Sequence, residues 1–220
     1  MTREEIASAL GLADAWDGYL PEFDLDLQGW NSESDAFDLV YSRLEPRIMV
    51  DVGVWKGGST AALARKASRS GRGGYVVAVD TFLGSPEHWL ATTHGDFRAD
   101  LRFHHGMPRL YWQFMSNVCL LNLQDHVVPF AQTSTNAAQI LDRLGFLADL
   151  IHVDAGHDAA SLRQDLEAWW PLLRPGGVLI VDDYVDQWPS VRATTDEFAR
   201  SLSLEASIIT PKAVLFKAEE

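Results

Sequence analysis

The sequence predicts an α/β fold: a doubly wound, mostly parallel sheet of seven strands, ending in an antiparallel strand and preceded by a helical extension. Three observations carry that prediction. From Arg47 onward, short β-branched runs alternate with segments of helical period, the rhythm of right-handed βαβ crossovers. Acidic residues stand where strands run out, at Asp80, Asp154 and Asp182-Asp183. The last two β-rich runs are separated only by Pro211-Lys212, a connection too short for a crossover and suited to a hairpin.

Taken in order, residues 1–46 read as two helices, Glu4 to Leu12 and Ser34 to Leu44, the second with Ser32 or Ser34 as N-cap. Between them Trp16, Tyr19, Phe23 and Trp30 are interspersed with acidic residues. Such a segment is either a packed amphipathic strap or a lid over a site. Strand one is Arg47 to Val52, and its helix runs from Gly58 to Ser68, ending near Gly71. Strand two is Tyr75 to Asp80, followed by a long insertion and a helix from Leu110 to Leu121. Strand three, Val127 to Ala131, precedes a helix from Thr135 to Leu144. Strand four, Ala148 to Asp154, precedes a helix from Ala159 to Leu173. Strand five, Gly177 to Val181, precedes a helix from Ser190 to Ser201. The runs Leu204 to Thr210 and Ala213 to Lys217 form the hairpin. Residues 47–218 thus make a core and 1–46 an extension or lid, within a single domain of 220 residues.

Composition narrows the function. Lys plus Arg is 18 against 31 Asp plus Glu, a formal charge of −13, which repels a phosphate backbone and argues against nucleic acid. The basic run Arg65 to Arg72 reads as a helix C-terminus complementing its dipole. No segment has the continuous apolar length of a membrane span, and Met1 to Ile6 shows no secretory pattern. One cysteine, Cys119, excludes an intrachain disulfide and reads as a small buried residue. A cytoplasmic protein acting on small molecules fits these features.

Asp154 closes Leu150-Ile151-His152-Val153, while Asp182 and Asp183 close Val178-Leu179-Ile180-Val181. Ligands of an open parallel sheet bind outside the carboxyl ends of its strands. Three carboxylates gathered there repel one another unless a cation neutralises them, and Mg2+ is the simplest hard, oxygen-liganded ion. Adjacent residues of a regular strand face opposite sides, so both Asp182 and Asp183 reach one ion only if the strand ends or bends there. Otherwise one of them is a cap or an ion-pair partner.

The loop Asp51-Val52-Gly53-Val54-Trp55-Lys56-Gly57-Gly58-Ser59 joins strand one to its helix. Its glycines permit positive φ and close approach to a ligand, and Gly57, Gly58 and Ser59 offer the free N–H groups of a helix start. The dinucleotide fingerprint G-x-G-x-x-G is missing. The pattern is D-x-G-x-x-x-G with an acid, Asp80, ending strand two.

That pattern, with the C-terminal hairpin, resembles class I S-adenosylmethionine-dependent methyltransferases and their Rossmann-like sheet. The resemblance implies that S-adenosyl-L-methionine lies against Asp51, Gly53, Gly57 and Ser59, with Asp80 and Thr81 at its ribose. It further implies that Ser134, after strand three, meets the adenine and that Asp154 borders the cofactor. Gly53 and Gly57 could equally serve only a tight turn, Asp80 a cap, and Thr133 or Ser134 the N-terminus of the next helix. The runs Ile151-His152-Val153-Asp154-Ala155-Gly156-His157, Trp169 to Gly177 and Asp182-Asp183-Tyr184 are similar to the macrocin O-methyltransferase (TylF-like) group. That group methylates sugar hydroxyls of natural products in a metal-dependent reaction. Its likeness implies Asp154, Asp182 and Asp183 as Mg2+ ligands and His157, three residues after the first, as catalytic base beside Asp154. A metal lowers the pKa of a bound hydroxyl, and a neutral histidine then takes the proton.

The expected activity is therefore a Mg2+-dependent O-methyltransferase acting on a sugar or other small hydroxylated natural product. A metal-independent methyltransferase, an oxidoreductase on a related Rossmann-like sheet, which the missing G-x-G-x-x-G disfavours, and a non-catalytic cofactor-binding module are the rivals. A homo-oligomer is compatible with any of these. Phe82 and Trp89 could wall the site or belong to core; His94, His104 and His105 read as surface histidines; Tyr111, Trp112 and Phe114 read as helix packing.

Overall fold

The computed structural model describes residues 1–30, 32–91, 95–154 and 156–219. Seven strands, β1 (Ile48–Val52), β2 (Tyr75–Asp80), β3 (Val127–Ala131), β4 (Ala148–Val153), β5 (Leu173–Val181), β6 (Ser207–Ile209) and β7 (Lys212–Phe216), form one sheet. Their order is β3-β2-β1-β4-β5-β7-β6. β1 to β5 pair in parallel, while β7 runs antiparallel to both β5 and β6. The strand order reverses direction between β1 and β4, the switch point at which such sheets bind ligands.

Period-2 alternation splits the strand residues between two cores. Val50, Val52, Ile151, Val153, Leu179 and Val181 pack with Ile6, Leu141, Leu166 and Phe198. These come from helices α1 (Arg3–Ala9), α6 (Ser134–Arg143), α7 (Ala159–Trp169) and α8 (Pro189–Ser201). On the other face Met49, Val76, Leu150 and Ile180 pack with Phe37, Leu63 and Phe114. Helices α2 (Asp35–Leu44), α3 (Gly58–Ser70) and α5 (Leu110–Leu120) carry those; a short α4 (Pro86–Trp89) lies in the insertion.

Side-chain caps fix the helix starts. Thr2 and Glu5 form a capping box for α1, Ser34 caps α2, Thr133 caps α6, and Asp158 accepts from Ala160 and Ser161 at α7. Gly71, at φ +64°, ends α3 where the sequence places it. Other boundaries shift. α1 stops at Ala9, short of the expected Leu12, and α7 stops at Trp169 because Pro171 cannot continue a helix. β5 begins at Leu173, where it already pairs with Ala148, instead of at Gly177. β7 takes in Lys212, which the sequence assigns to the turn, and Cys119 is half-buried instead of buried.

The segment from Trp16 to Trp30 is a strap laid along α5, and polar residues of that helix hold it. Tyr19 donates to the Trp112 carbonyl at 3.0 Å; Ser116 Oγ accepts from the N–H groups of Glu22 and Phe23 at 2.9 and 3.2 Å. Asn117 accepts from Asp26 N–H and donates to the carbonyls of Asp26 and Lys56. Lys56, 1 % exposed, donates to Asp26 and Asp100, each at 2.7 Å, and so ties the strap and the insertion to the glycine-rich loop. No helix among the described residues is long and apolar enough to cross a membrane.

Candidate active site

A cavity of about 500 Å3 opens at the carboxyl ends of β1, β2, β4 and β5. Gly53, Ser59, Asp80 and Thr81 line one side of it; Asp154, His157, Asp182 and Asp183 line the other, with Ser134 also on its wall. Leu27 to Trp30 of the strap complete the wall, so the strap both packs and borders the site. Asp51 and Gly57 are not brought to the cavity.

The reason lies in what those two residues touch. Asp51 is fully buried, and its carboxylate accepts from Ser59 Oγ at 2.8 Å, Thr60 Oγ1 at 2.5 Å and His152 Nδ1 at 2.8 Å. Gly57 adopts φ +90°, and a Cβ there would stand 2.8 Å from the Phe114 ring, so its missing side chain serves the α3–α5 packing. Gly53, at φ +86°, does line the cavity. Asp80 accepts from Trp55 N–H at 2.8 Å and Phe82 N–H at 2.7 Å, leaving each carboxylate oxygen a further lone pair. Burial pushes its pKa up. Thr81 Oγ1 accepts from Leu83 N–H. Ser134 Oγ donates to Asp165 and accepts from Trp169 Nε1 at 2.9 Å, so its hydroxyl serves the α6–α7 contact.

At the acidic end β5 stops at Val181, and Asp183 sits at φ +54°. The strand therefore ends just before Asp182, but the two carboxylates part. Asp182 points inward: it is 5 % exposed and bonded to Lys212 Nζ, with His152 Nε2 at 3.4 Å. Its Oδ1 accepts from Asp183 N–H at 2.8 Å. Burial raises the Asp182 pKa, but its contacts with His152 and Lys212 outweigh this and hold it below the usual carboxylate range. Asp154, half-buried, is pushed well above that range by burial and by the charge of Asp182.

Asp154, His157 and Asp183 offer ligand atoms that all lie within 4.8 Å of one another. His157 Nε2 is 2.9 Å from Asp183 Oδ2 yet out of line for a hydrogen bond, so it is a buried nitrogen without a hydrogen-bond partner among the described residues. Its Nδ1 is 3.5 Å from Glu87, and its ring stacks on Trp188 with centres 4.2 Å apart. Burial opposes the imidazolium, but Asp183 and Glu87 outweigh it and pull the pKa up to about 10. Two carboxylates suit a hard divalent cation, and the unpartnered imidazole nitrogen beside them suits a proton acceptor. Of the three acids expected together, Asp154 and Asp183 meet, and Asp182 is taken by Lys212.

Sequence reasoning missed His152, Lys212, Glu87 and Trp188. His152 reads as one more residue of an apolar strand and Lys212 as a turn residue. Only the sheet pairing, with β1 Asp51 opposite His152, places them together. The remaining wall is aromatic: Trp55 stacks on His88 at 4.0 Å and on Trp30 at 6.3 Å, and Phe97 meets Trp30 edge-on at 5.3 Å. Phe82 is buried in the core, and Trp89 is exposed outside the cavity. His104 and His105 are exposed, and His94 lies outside the described residues. Among the described residues no lysine or arginine lines the cavity, whereas Asp80, Glu87, Asp154, Asp182 and Asp183 do.

Comparison with known proteins gives three findings. The sequence model of a family described as a methyltransferase domain matches residues 50–184. No curated protein matches the sequence. Solved structures share the fold at low identity. The O-methyltransferase NovP is 22 % identical with a TM-score of 0.58, over 83 % of this chain and 79 % of that one. CalS11, a TDP-rhamnose 3'-O-methyltransferase of calicheamicin biosynthesis, is 15 % identical with a TM-score of 0.56, over 98 % and 95 %. TomG from Streptomyces achromogenes, an O-methyltransferase of tomaymycin synthesis solved with S-adenosylmethionine, is 17 % identical with a TM-score of 0.57, over 99 % and 92 %.

Proposed function

The chain belongs to the methyltransferase-domain family, and from that membership we propose that it moves the methyl group of S-adenosylmethionine to a hydroxyl of a small molecule with the help of a divalent ion, Mg2+ first among them. The observation that carries this reading is the meeting of Asp154, His157 and Asp183 in the same cavity as Gly53 and Asp80. The first group suits a metal and a proton acceptor; the second suits a nucleoside and its charged tail. A sugar or another hydroxylated natural product is the acceptor class, methylated at a hydroxyl as in CalS11, a TDP-rhamnose 3'-O-methyltransferase, but without the diphosphate, which the acidic wall would repel. The metal-dependent, macrocin-like arrangement is adopted with one change: Asp154 and Asp183 hold the ion. Residues 47–218 form the catalytic core in this reading, and 1–46 an extension whose strap narrows the cavity.

The chain's own residues divide the work. Spare lone pairs of Asp80 would accept the ribose hydroxyls, and backbone N–H groups at the start of α3 would hold the anionic end of the cofactor. A divalent ion held by Asp154 and Asp183 would lower the pKa of a coordinated hydroxyl and offset the carboxylate charge. With the charge of Asp183 and Asp154 offset by the ion, which removes much of what holds it protonated, His157, oriented by Trp188 and Glu87, would be neutral and take the acceptor proton at Nε2. The methyl transfer itself is the cofactor's chemistry.

A metal-independent variant of this reaction has one observation in its favour. His157 is already flanked by Asp183 and Glu87, a self-sufficient acid–histidine–acid arrangement. Calorimetric titration of metal-stripped protein with S-adenosylmethionine and then Mg2+, repeated on Asp154→Ala, tests the proposal. Cofactor binding followed by a Mg2+ signal lost in the variant is the expected result. Full methyl transfer in the presence of chelator would favour the metal-independent variant, and absence of cofactor binding would end both.

A further inference from the structure

Lys212 is the least expected residue near the site. It is fully buried at the start of β7, a strand whose reversed direction sets its first residue, not its last, at the ligand-binding edge of the sheet. Its ammonium is bonded to Asp182 Oδ2, lies 3.2 Å from His152 Nε2 and stands 5.3 Å from the centre of the Phe37 ring. His152 is held from its other side, Nδ1 to Asp51, and Asp51 is held by Ser59 and Thr60 of α3.

We propose that Lys212 is a positioning residue that withholds Asp182 from the divalent ion, serving as its resident cation so that only Asp154 and Asp183 bind the metal. Both oxygens of Asp182 are engaged, Oδ2 by Lys212 and Oδ1 by Asp183 N–H. The second bond does further work. A non-glycine residue in the left-handed region is strained, and Asp182 Oδ1 anchors Asp183 there. Tyr184 N–H, next along, donates to the Pro211 carbonyl at 2.7 Å, so the residues after β5 and before β7 are fastened together. Asp183 is thereby turned toward Asp154 and His157 while its neighbour stays in the interior. A buried ammonium left without its carboxylate is strongly destabilising, so the pair persists whether or not the metal is bound.

This inference rests on the metal-dependent reading, and one experiment separates the two. Mn2+ is titrated by electron paramagnetic resonance into protein saturated with S-adenosylhomocysteine, for the wild type, Asp183→Asn, Lys212→Met and the double variant Lys212→Met with Asp182→Asn. Freeing Asp182 adds a third carboxylate, so Lys212→Met is expected to bind Mn2+ roughly tenfold more tightly, as ligand charge count dictates. A role confined to folding would not tighten binding. The double variant removes both charges but keeps an oxygen for Asp183 N–H, which guards against a single variant that fails to fold. Its Mn2+ affinity is expected to stay within about threefold of wild type, whereas Asp183→Asn falls by more than about thirtyfold. A folded double variant that loses Mn2+ as fully as Asp183→Asn would make Asp182 a direct ligand and overturn the proposal. Unchanged or weaker binding by folded Lys212→Met would overturn it as well. Cofactor product bound but no Mn2+ signal in any of the four proteins would sink the metal-dependent reading itself, and this inference with it.

Discussion

The imidazole of His157 and the indole of Trp188 lie face to face, their planes 16° from parallel. The stack leaves Nε2 facing Asp183 and Nδ1 facing Glu87, which is the orientation a base needs. Aromatic pairs of this kind are worth about 0.5–1.5 kcal/mol. Trp188→Ala is therefore expected to lower kcat by about tenfold, the equivalent of ~1.4 kcal/mol, with the cofactor Kd unchanged. Steady-state kinetics beside a cofactor titration decide it: equal losses in kcat and in cofactor affinity would mean that Trp188 shapes the whole cavity.

Lys56 is the joint between strap, insertion and glycine-rich loop. Removing one partner of a buried ion pair costs about 3–5 kcal/mol, but Asp26 and Asp100 are 36 % and 26 % exposed and are rehydrated readily. Lys56→Met is expected to cost about 2 kcal/mol and to expose the strap. Urea unfolding gives the first figure, and faster proteolytic cleavage between residues 20 and 30 gives the second. A variant as protease-resistant as wild type would show that Ser116 and Asn117 hold the strap unaided.

Asp165 supplies a pH dependence away from the site. Burial pushes its pKa up from 3.8 to about 6, against the hydrogen bond from Ser134. A carboxyl whose folded pKa is raised adds stability that is fully present below the unfolded value and is lost as pH rises through the folded one. At 1.36 kcal/mol per unit, a shift of about two units corresponds to an upper bound of about 3 kcal/mol. Asp165→Asn, which keeps an oxygen for Ser134, is expected to be more stable than wild type at pH 8, with the gap closing toward pH 4. Denaturation curves at pH 4, 6 and 8 check the slope; parallel stability profiles would refute it.

The cavity wall also selects on charge. With carboxylates at five positions and no lysine or arginine on the described wall, an anionic acceptor meets repulsion that a neutral one escapes. A neutral catechol aldehyde is expected to be methylated with a kcat/KM at least about tenfold above that of the matching catechol carboxylate, the ratio shrinking as salt is added. TDP-rhamnose, offered in the same assay, extends the comparison to diphosphates. A TDP-sugar preferred over every neutral acceptor would contradict this account of the wall.

The sheet was legible because each strand is a short apolar run between turn residues; β2 and β3 fall where the sequence places them. The acids at strand ends were legible for the same reason. Asp51 and Asp182 show what was not. Both occupy strand-end positions that suggest a ligand, yet Asp51 is taken up by Ser59, Thr60 and His152, and Asp182 by Lys212. A carboxylate's partner depends on which strand lies beside it, and the pairing of β5 with β7 joins residues 30 positions apart, Asp182 to Lys212. Local pattern carries no record of such a contact. Ser134 differs: it lines the cavity, but its hydroxyl turns to a tryptophan and an aspartate from α7.

The hairpin that carries Lys212 has a consequence for synthesis. The ribosome makes Asp51, His152 and Asp182 before it makes the lysine that balances them. A released chain that ends after α8 would carry the parallel strands and the acids but not the ammonium, leaving a carboxylate with no cation in an apolar interior. Messages truncated upstream of β7 would thus yield products open to proteolysis, while the addition of the two short strands β6 and β7 closes the account of charge and makes the fold durable.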